Sequence, residues 1–460
     1  MEIVNSNKEL LLLIIMALAI TIIANISFSE LHLSHAQTLG NIKDLSIDAT
    51  DAHDPRILLS GFNIYVIWVD FVTGNDDIYF KRSTDGGASF GNIINLSNDL
   101  GDSYNFKVSL SGDYMYIVWQ DETLGVNGTA DIFFKRSTDG GASFGNTINL
   151  SNDTGDSTDP DMTSSNNGDI NVVWRDDTAG TEQILYQRSN DNGDSFETGL
   201  SEHLTLSNNT AIKIDAIEPR VVSDKTNVYV LWSQGDFDQG LTDVFFKRST
   251  DGGASFGNTI NLSNNPNSQS SLPTLALLDN NVYTAWSDGP FNNGEVNYRK
   301  STDGGASFGN TINLSNDTGD SIRPEIAVSG SNIFIVWQNQ ATKGDNVFFK
   351  RSTDRGSSFG DTINLSNSRG YSTNPEISVN NSSSVYTVWQ NQVSNNTIHD
   401  IFFRGSTDGG ASFGNIINLS NNQGDSTNPD IASANDGRTY VVWTDNIKGK
   451  SKVFFSVLSE

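Results

Sequence analysis

Two residues after each of the eight tryptophans of this chain stands a carboxylate or an amide: Asp70, Asp121, Asp176, Gln234, Asp288, Asn339, Asn391 and Asp445. Oxygen-bearing side chains at one phase of a repeat can ligate a hard cation or bond sugar hydroxyls, and on a closed array of repeats they would form a negatively biased binding ring. The same residue types also stabilise turns through nearby backbone, which gives these positions a purely structural reading as well. A second acidic pattern repeats as NDLGDS at Asn98, NDTGDS at Asn152 and Asn316, and NNQGDS at Asn421. Asp153, Asp156 and Asp159 make the densest set there. Calcium, which takes about six to eight oxygens and tolerates irregular loops, is the cation that set would suit, although the spacing is not that of an EF-hand. No other cofactor is indicated, because cysteine is absent, the five histidines are scattered, and neither a phosphate-binding glycine loop nor a Ser-His-Asp elbow is present.

The elements that must position these residues are written in a repeat. The tryptophans Trp68, Trp119, Trp174, Trp232, Trp286, Trp337, Trp389 and Trp443 each end a β-rich run such as IYVIW or NVYVLW. Boxes of the form STDGGASF begin at Ser83, Ser137, Ser189, Ser249, Ser301, Ser352 and Ser406, at intervals of about 50 to 60 residues, the period of a propeller blade. Each unit reads as four short strands: one after a proline (NPEISV), one ending in tryptophan, one like DIFFKRS and one like NTINLS. The box reads as a hairpin turn whose aspartate (Asp85, Asp139, Asp191, Asp251, Asp303, Asp354, Asp408) accepts backbone N–H groups. Its phenylalanine (Phe90, Phe144, Phe196, Phe256, Phe308, Phe359, Phe413) plugs the turn from below. Eight tryptophans against seven boxes leave the last unit short of an outer strand after SKVFFSVLS, and GNIKDLS at Gly40 to Ser46 has the phase to supply it. The expected fold is therefore all-β, an eight-bladed propeller of four-stranded blades closed by an N-terminal strand; seven blades plus an extra unit is the alternative.

The S-x-D-x-G-x-S-F box, recurring at blade period over nearly the whole chain, resembles the Asp-box (BNR) repeats of sialidase-like propellers. That resemblance implies a box on the turn between third and fourth strands, away from the ligand face, and a fold shared by enzymes and non-enzymes. A sialidase-like site would need three arginines around a substrate carboxylate, a tyrosine nucleophile with a glutamate, and an aspartate. The family's Phe-Arg-Ile-Pro signature is missing. Arg56 in HDPRIL, Arg220 in IEPRVV and Arg323 in SIRPEI stand at comparable strand starts and are the candidates for the catalytic triad of arginines, with Tyr104 and Tyr371 on the same expected face. The longest departure from the repeat, between Ser189 and Trp232, adds Glu197, Glu202 and His203 beside Arg220.

Composition narrows the partners. A formal charge of −27 disfavours nucleic acid and anionic lipid, which a basic face would be needed to hold. Lys8 followed by an apolar run from Leu10 to Ala24, with Ser34-His35-Ala36 beyond, reads as a signal peptide over residues 1–36 ahead of a propeller over 37–460; left uncleaved, it would be the chain's only membrane contact. A secreted or surface-anchored location follows, and Asn-Leu-Ser at Asn95, Asn149, Asn261, Asn313, Asn364 and Asn418 has the glycosylation pattern. The leading expectation is a glycan- or protein-binding module. The rivals are a sialidase-like glycoside hydrolase and a structural cell-envelope protein.

Overall fold

The computed structural model describes residues 38–46, 51–72, 74–123, 129–197, 203–207, 214–224, 226–290, 293–317, 319–340, 344–367, 370–381, 383–392 and 398–459. The expected leader and Glu202 lie outside them. No helix of the described residues is long and apolar enough to cross a membrane.

The β-rich repeats form eight antiparallel sheets. Blade 1 runs from the axis outward as Ala52–Ser60, Asn63–Phe71, Asp76–Ser83 and Ile94–Asn95, and blade 2 as Ser103–Ser111, Tyr114–Asp121, Asp131–Ser137 and Ile148–Asn149. Blade 8 offers Asp425–Ser433, Thr439–Ile447 and Lys450–Ser459, and its outer strand comes from the other end of the chain, with Lys43 opposite Phe455 and Asp44 opposite Phe454. The ring is closed as the sequence implies, and a detached eighth unit is excluded.

Each second strand is buried on both faces because neighbouring blades sandwich it; in blade 1 every residue from Ile64 to Asp70 is buried. The tryptophans are the bulk of that core, none more than 1% exposed. Box phenylalanines do more than plug their own turns. Phe144 meets Phe80 of the preceding blade edge-on at 5.2 Å, Phe196 meets Phe134 at 4.8 Å, and Phe90 meets Phe455 of blade 8 at 5.0 Å across the closure. Gly141 must be glycine for the same reason: its φ is +76°, and a Cβ there would lie 2.7 Å from the Phe80 ring.

The Lys-Arg-Ser sequence that ends four of the eight third strands clamps a blade in both directions. Lys135 Nζ donates to Leu96 O of the preceding blade at 2.6 Å, and Arg136 Nη1 donates to Asn192 O in the next box at 2.7 Å. Lys81 with Leu45 O and Arg82 with Gly140 O repeat the pair, as do Lys247 with Leu206 O and Arg248 with Gly304 O. The first box has no such arginine before it. Lys43 of the closing strand donates there instead, to Ala88 O at 2.6 Å and to Gly87 O.

Candidate axial site

Box turns lie beside the turns between first and second strands, as when Gly86 N donates to Phe62 O, so the second-strand ends fall on the opposite face. Inside each box the aspartate is fully used: Asp85 Oδ1 accepts from Ser89 N at 2.8 Å and Ser83 Oγ at 2.7 Å, and its Oδ2 accepts from Ser89 Oγ. These bonds hold the box carboxylates below the ordinary aspartate range, Asp251 and Asp303 at about 2.

The tryptophan-plus-two residues sit at the face expected of them but do not form an open ring. Asp70, Asp121, Asp176, Asp288, Asn339, Asn391 and Asp445 are buried and lie one strand outward from the axis, and Gln234 is half-buried. A strand's side chains repeat every second residue, so a carboxylate two places after a buried tryptophan points into the same interface. In blade 2 it accepts both from the indole, Trp119 Nε1 to Asp121 at 3.0 Å, and from a first-strand serine, Ser103 Oγ to Asp121 at 2.8 Å, and in blade 4 Trp232 Nε1 donates to Gln234 at 2.9 Å, whereas the indoles of Trp174, Trp286, Trp337 and Trp443 make no such bond. The eight positions expected to form a binding rim lie inside the blades, seven of them buried.

The acidic loops end as partners of those links. Asn422 Nδ2 donates to Asp445, Asn265 Nδ2 donates to Asp288 at 3.3 Å, and Asn339 Nδ2 donates to Asp317 at 2.8 Å, so in three blades one member of the pair is an amide. In blades 2 and 3 both members are carboxyls, Asp99 beside Asp121 and Asp153 beside Asp176. Burial and then the neighbouring carboxyl push Asp99 and Asp153 each up to about 6. The calcium set does not assemble. Asp153 Oδ1 accepts from Gly155 N, Asp156 Oδ1 from Ala130 N, and Asp159 pairs with Arg175. Among the described residues no three His, Cys, Asp or Glu side chains are grouped to hold a metal ion.

A pH-dependent stability follows. A carboxyl whose folded pKa is raised stabilises the fold below its unfolded value near 3.9, and that stability is lost as pH rises through about 6. Because both groups are only half-buried, solvent screening reduces each contribution to about 1 kcal/mol. Asp99→Asn with Asp153→Asn should therefore raise stability at pH 8 by about 2 kcal/mol and leave it nearly unchanged at pH 4, read by denaturant melts at both pH values. Equal effects at the two pH values would rule out shared protons.

The chemistry that remains open lies at the axis. In all eight first strands the residue before the proline position takes a left-handed conformation at a break in register: Asp54, Asn105, Asp159, Glu218, Leu272, Arg323, Asn374 and Asn428, with φ between +48° and +57°. Such a bulge in a leucine, glutamate or arginine is strained by about 1 kcal/mol or more, and it turns this residue and the one after proline toward the channel. The second set reads Arg56, Lys107, Asp161, Arg220, Thr274, Glu325, Glu376 and Asp430 around the ring. Acids of both sets hold backbone beside the bulges: Ile57 N donates to Asp430 and Val221 N to Asp161, each at 2.8 Å, and Leu272 N to Glu218 at 2.6 Å.

Arg56, Arg220 and Arg323, expected to act together, all line one cavity of about 300 Å³, and Glu325 and Glu376 line it with them. A second space of about 460 Å³ shares Asp54, Arg56 and Arg220 and adds Lys107. Arg56 Nη1 is 3.7 Å from Glu376, and Arg323 Nη1 donates to Asn374 at 3.3 Å. The tyrosines do not join them. Tyr104 donates to Glu122 at 2.6 Å and is pushed well above its ordinary range, first by burial and then by that carboxylate; Tyr371 is exposed. Nor does the divergent connection: Glu197 is held by Arg188 at 2.7 Å, and His203 Nε2 bonds Ser151 O at 2.8 Å. Lys107, Glu325, Glu376 and Asp430 were not expected at the site. Their signal was present as a position, directly after the proline or its counterpart Phe106, that varies in charge while the framework repeats.

The Asn-Leu-Ser recurrence also has a structural cause. Asn95 Nδ2 and Ser97 Oγ both donate to Asp77, each at 2.9 Å, and Asn149, Asn261 and Asn418 are engaged in the same way by Asp131, Asp243 and Asp400.

No protein-family model matches the chain, and no curated protein matches it in sequence. Among solved structures it is similar to an ulvan lyase of polysaccharide lyase family PL25, at 13% identity and a TM-score of 0.50 over 78% of this chain and 94% of that one. It is similar also to the polysaccharide lyase Uly1, at 10% identity and a TM-score of 0.50 over 83% and 99%. The Hadza microbial sialidase Hz136 aligns at 10% identity and a TM-score of 0.42 over 85% and 73%. At such identities the shared feature is the β-propeller fold.

Proposed function

We propose that this chain is an exported propeller that binds an acidic glycan in the axial cavity, holding the sugar's carboxylate or sulfate between Arg56, Arg220 and Arg323. One observation carries the reading: three guanidiniums from blades 1, 4 and 6, far apart in sequence, line a single cavity of a chain whose net charge is −27. Guanidinium matches planar carboxylate and sulfate oxygens with paired N–H donors, and the polar wall of bulged backbone suits sugar hydroxyls. A carbohydrate ligand also agrees with what the similar propellers are described as acting on. Export rests on the leader-like residues 1–36.

A glycan array probed with the chain from residue 37 onward should light up uronate-, sialate- or sulfate-bearing sugars over their neutral counterparts. Arg220→Ala should weaken binding at least tenfold, the equivalent of one lost charge-assisted bond of about 1.4 kcal/mol or more. Equal binding of neutral and acidic sugars, or an unaffected Arg220→Ala variant, would refute the proposal. The hydrolase reading draws on Glu376, whose carboxyl is pushed up to about 8 by burial and by Glu325 and could hold a proton for transfer. Release of reducing ends from the bound sugar, lost in Glu376→Gln, would favour it.

A further inference from the structure

The axial cavity holds its own anions. The charged groups that line it are Asp54 and Arg56 from blade 1, Lys107 from blade 2, Asp159 from blade 3, Glu218 and Arg220 from blade 4, Arg323 and Glu325 from blade 6 and Glu376 from blade 7, with Leu272 from blade 5; Asp430 acts electrostatically on Arg56 and Asp161 on Lys107 from beside it. Asp161, Glu218 and Asp430 are committed to backbone N–H groups. Glu325 and Glu376 stand on adjacent blades and accept no backbone bond of that kind. Glu376 instead faces Arg56 at 3.7 Å, the same guanidinium an anionic ligand would need. Arg56 and Glu376 each keep an open edge, their side chains 43% and 32% exposed, so a ligand can reach the pair.

We propose that an anion entering this cavity displaces the carboxylate of Glu376 from Arg56, and that the Glu325–Glu376 pair takes up a proton as it does so. The inference rests on the acidic-ligand reading above and adds that binding is proton-coupled. Two carboxyl groups crowded in a channel cannot both stay ionised once their guanidinium has been drawn to a third anion. Burial and then Glu325 already raise Glu376 to about 8, with Arg56 opposing the rise; engaging Arg56 elsewhere removes that opposition. The proton comes from solvent, and no bond other than O–H is formed.

Titration calorimetry of the chain from residue 37 with an oligogalacturonate, whose own carboxyls do not titrate above pH 6, provides the test. Affinity should fall by up to tenfold per pH unit above pH 8, and the heat at pH 8.5 should depend on the buffer's ionisation enthalpy with the sign of proton uptake. Lys107, whose pKa burial lowers, is the competing source of such a pH dependence. Lys107→Arg should therefore keep the dependence, and Glu376→Gln should abolish it while binding at pH 8.5 at least as tightly as the parent. Binding with flat affinity and no buffer-dependent heat would overturn the proton coupling alone. Loss of the dependence in Lys107→Arg would overturn it too. No binding at any pH would overturn the acidic-ligand reading together with it. Were Glu376→Gln not to fold, the buffer dependence of the parent would still decide.

Discussion

Removing residues 37–48 should lower the thermal midpoint of the propeller by at least about 5 °C, whereas removing residues 1–36 should not. Within the deleted stretch Leu45 is 2% exposed and packs with Trp68, Tyr440, Val442 and Phe455. Leu45 N donates to Val453 O at 2.9 Å and Gly40 N to Val457 O at 2.7 Å, and Lys452 pairs with Asp44 at 2.5 Å. Lys43 is the group that ties the first box to the closure. Losing one buried leucine at about 2–3 kcal/mol and several backbone bonds at about 1 kcal/mol each removes about 5 kcal/mol, a large part of the stability of an ordinary domain. For a chain of about 420 folded residues the entropy of unfolding converts that to about 6 °C. The shortened chain also exposes the edge of Lys450–Ser459, so concentration-dependent association should accompany the loss. Leu45→Asp should reproduce most of the change without altering chain length. A midpoint within 1 °C of the parent would mean that the closing strand contributes no stability.

The fold was legible because its signals are redundant. Tryptophan phase counts eight units, the seven boxes fix the blade period, and the surplus GNIKDLS segment supplies the outer strand that the box-less last unit lacks. The candidate site was legible only in part. Arg56, Arg220 and Arg323 could be picked out as strand-start arginines, but a pleated strand gives no hint that a residue beside proline will be turned to the axis. That turn needs the left-handed bulge at Asp54, Glu218 and Arg323, and a periodicity of two misses it, since the bulge breaks the period. The tryptophan-plus-two aspartates failed for the opposite reason. Their spacing obeys the period, and obeying it puts Asp70 and Asp121 on the buried face with the indoles.

The acidic composition misled in a further way. A charge of −27 reads as a surface property, yet many of the carboxylates are internal fixtures with paired donors. An amide can take the place of several of them, so Asp and Asn exchange between blades at fixed positions: Asp99 with Asn422, and Asp131 with Asn346. The repeat thus carries its own substitution series, and the amide-bearing blades show which of these sites need a negative charge.

Asp131→Ala is the sharpest use of that series and should cost about 3 kcal/mol. Asp131 is 5% exposed at the start of the third strand of blade 2. Its Oδ2 accepts from Asn149 Nδ2 at 2.9 Å and its Oδ1 from Ser151 Oγ at 2.7 Å, while Ser151 Oγ accepts from Ile132 N at 2.9 Å. The outer strand Ile148–Asn149 is only two residues long, so this carboxylate replaces the ladder it lacks. Truncation removes two charge-assisted bonds and leaves the Asn149 amide half-buried without that acceptor, which sets the magnitude. Asp131→Asn should cost only about 1 kcal/mol, because in blade 6 Asn346 takes the same place and accepts from Asn364 at 3.1 Å and Ser366 at 3.2 Å. Amide exchange localises the effect: Leu150 N, which donates to Ile132 O at 2.7 Å, should lose protection in Asp131→Ala well before the tryptophan strands do. If the alanine and asparagine variants lost equal stability, the carboxylate's charge would be irrelevant and the outer strand would be held by packing of Leu150 alone.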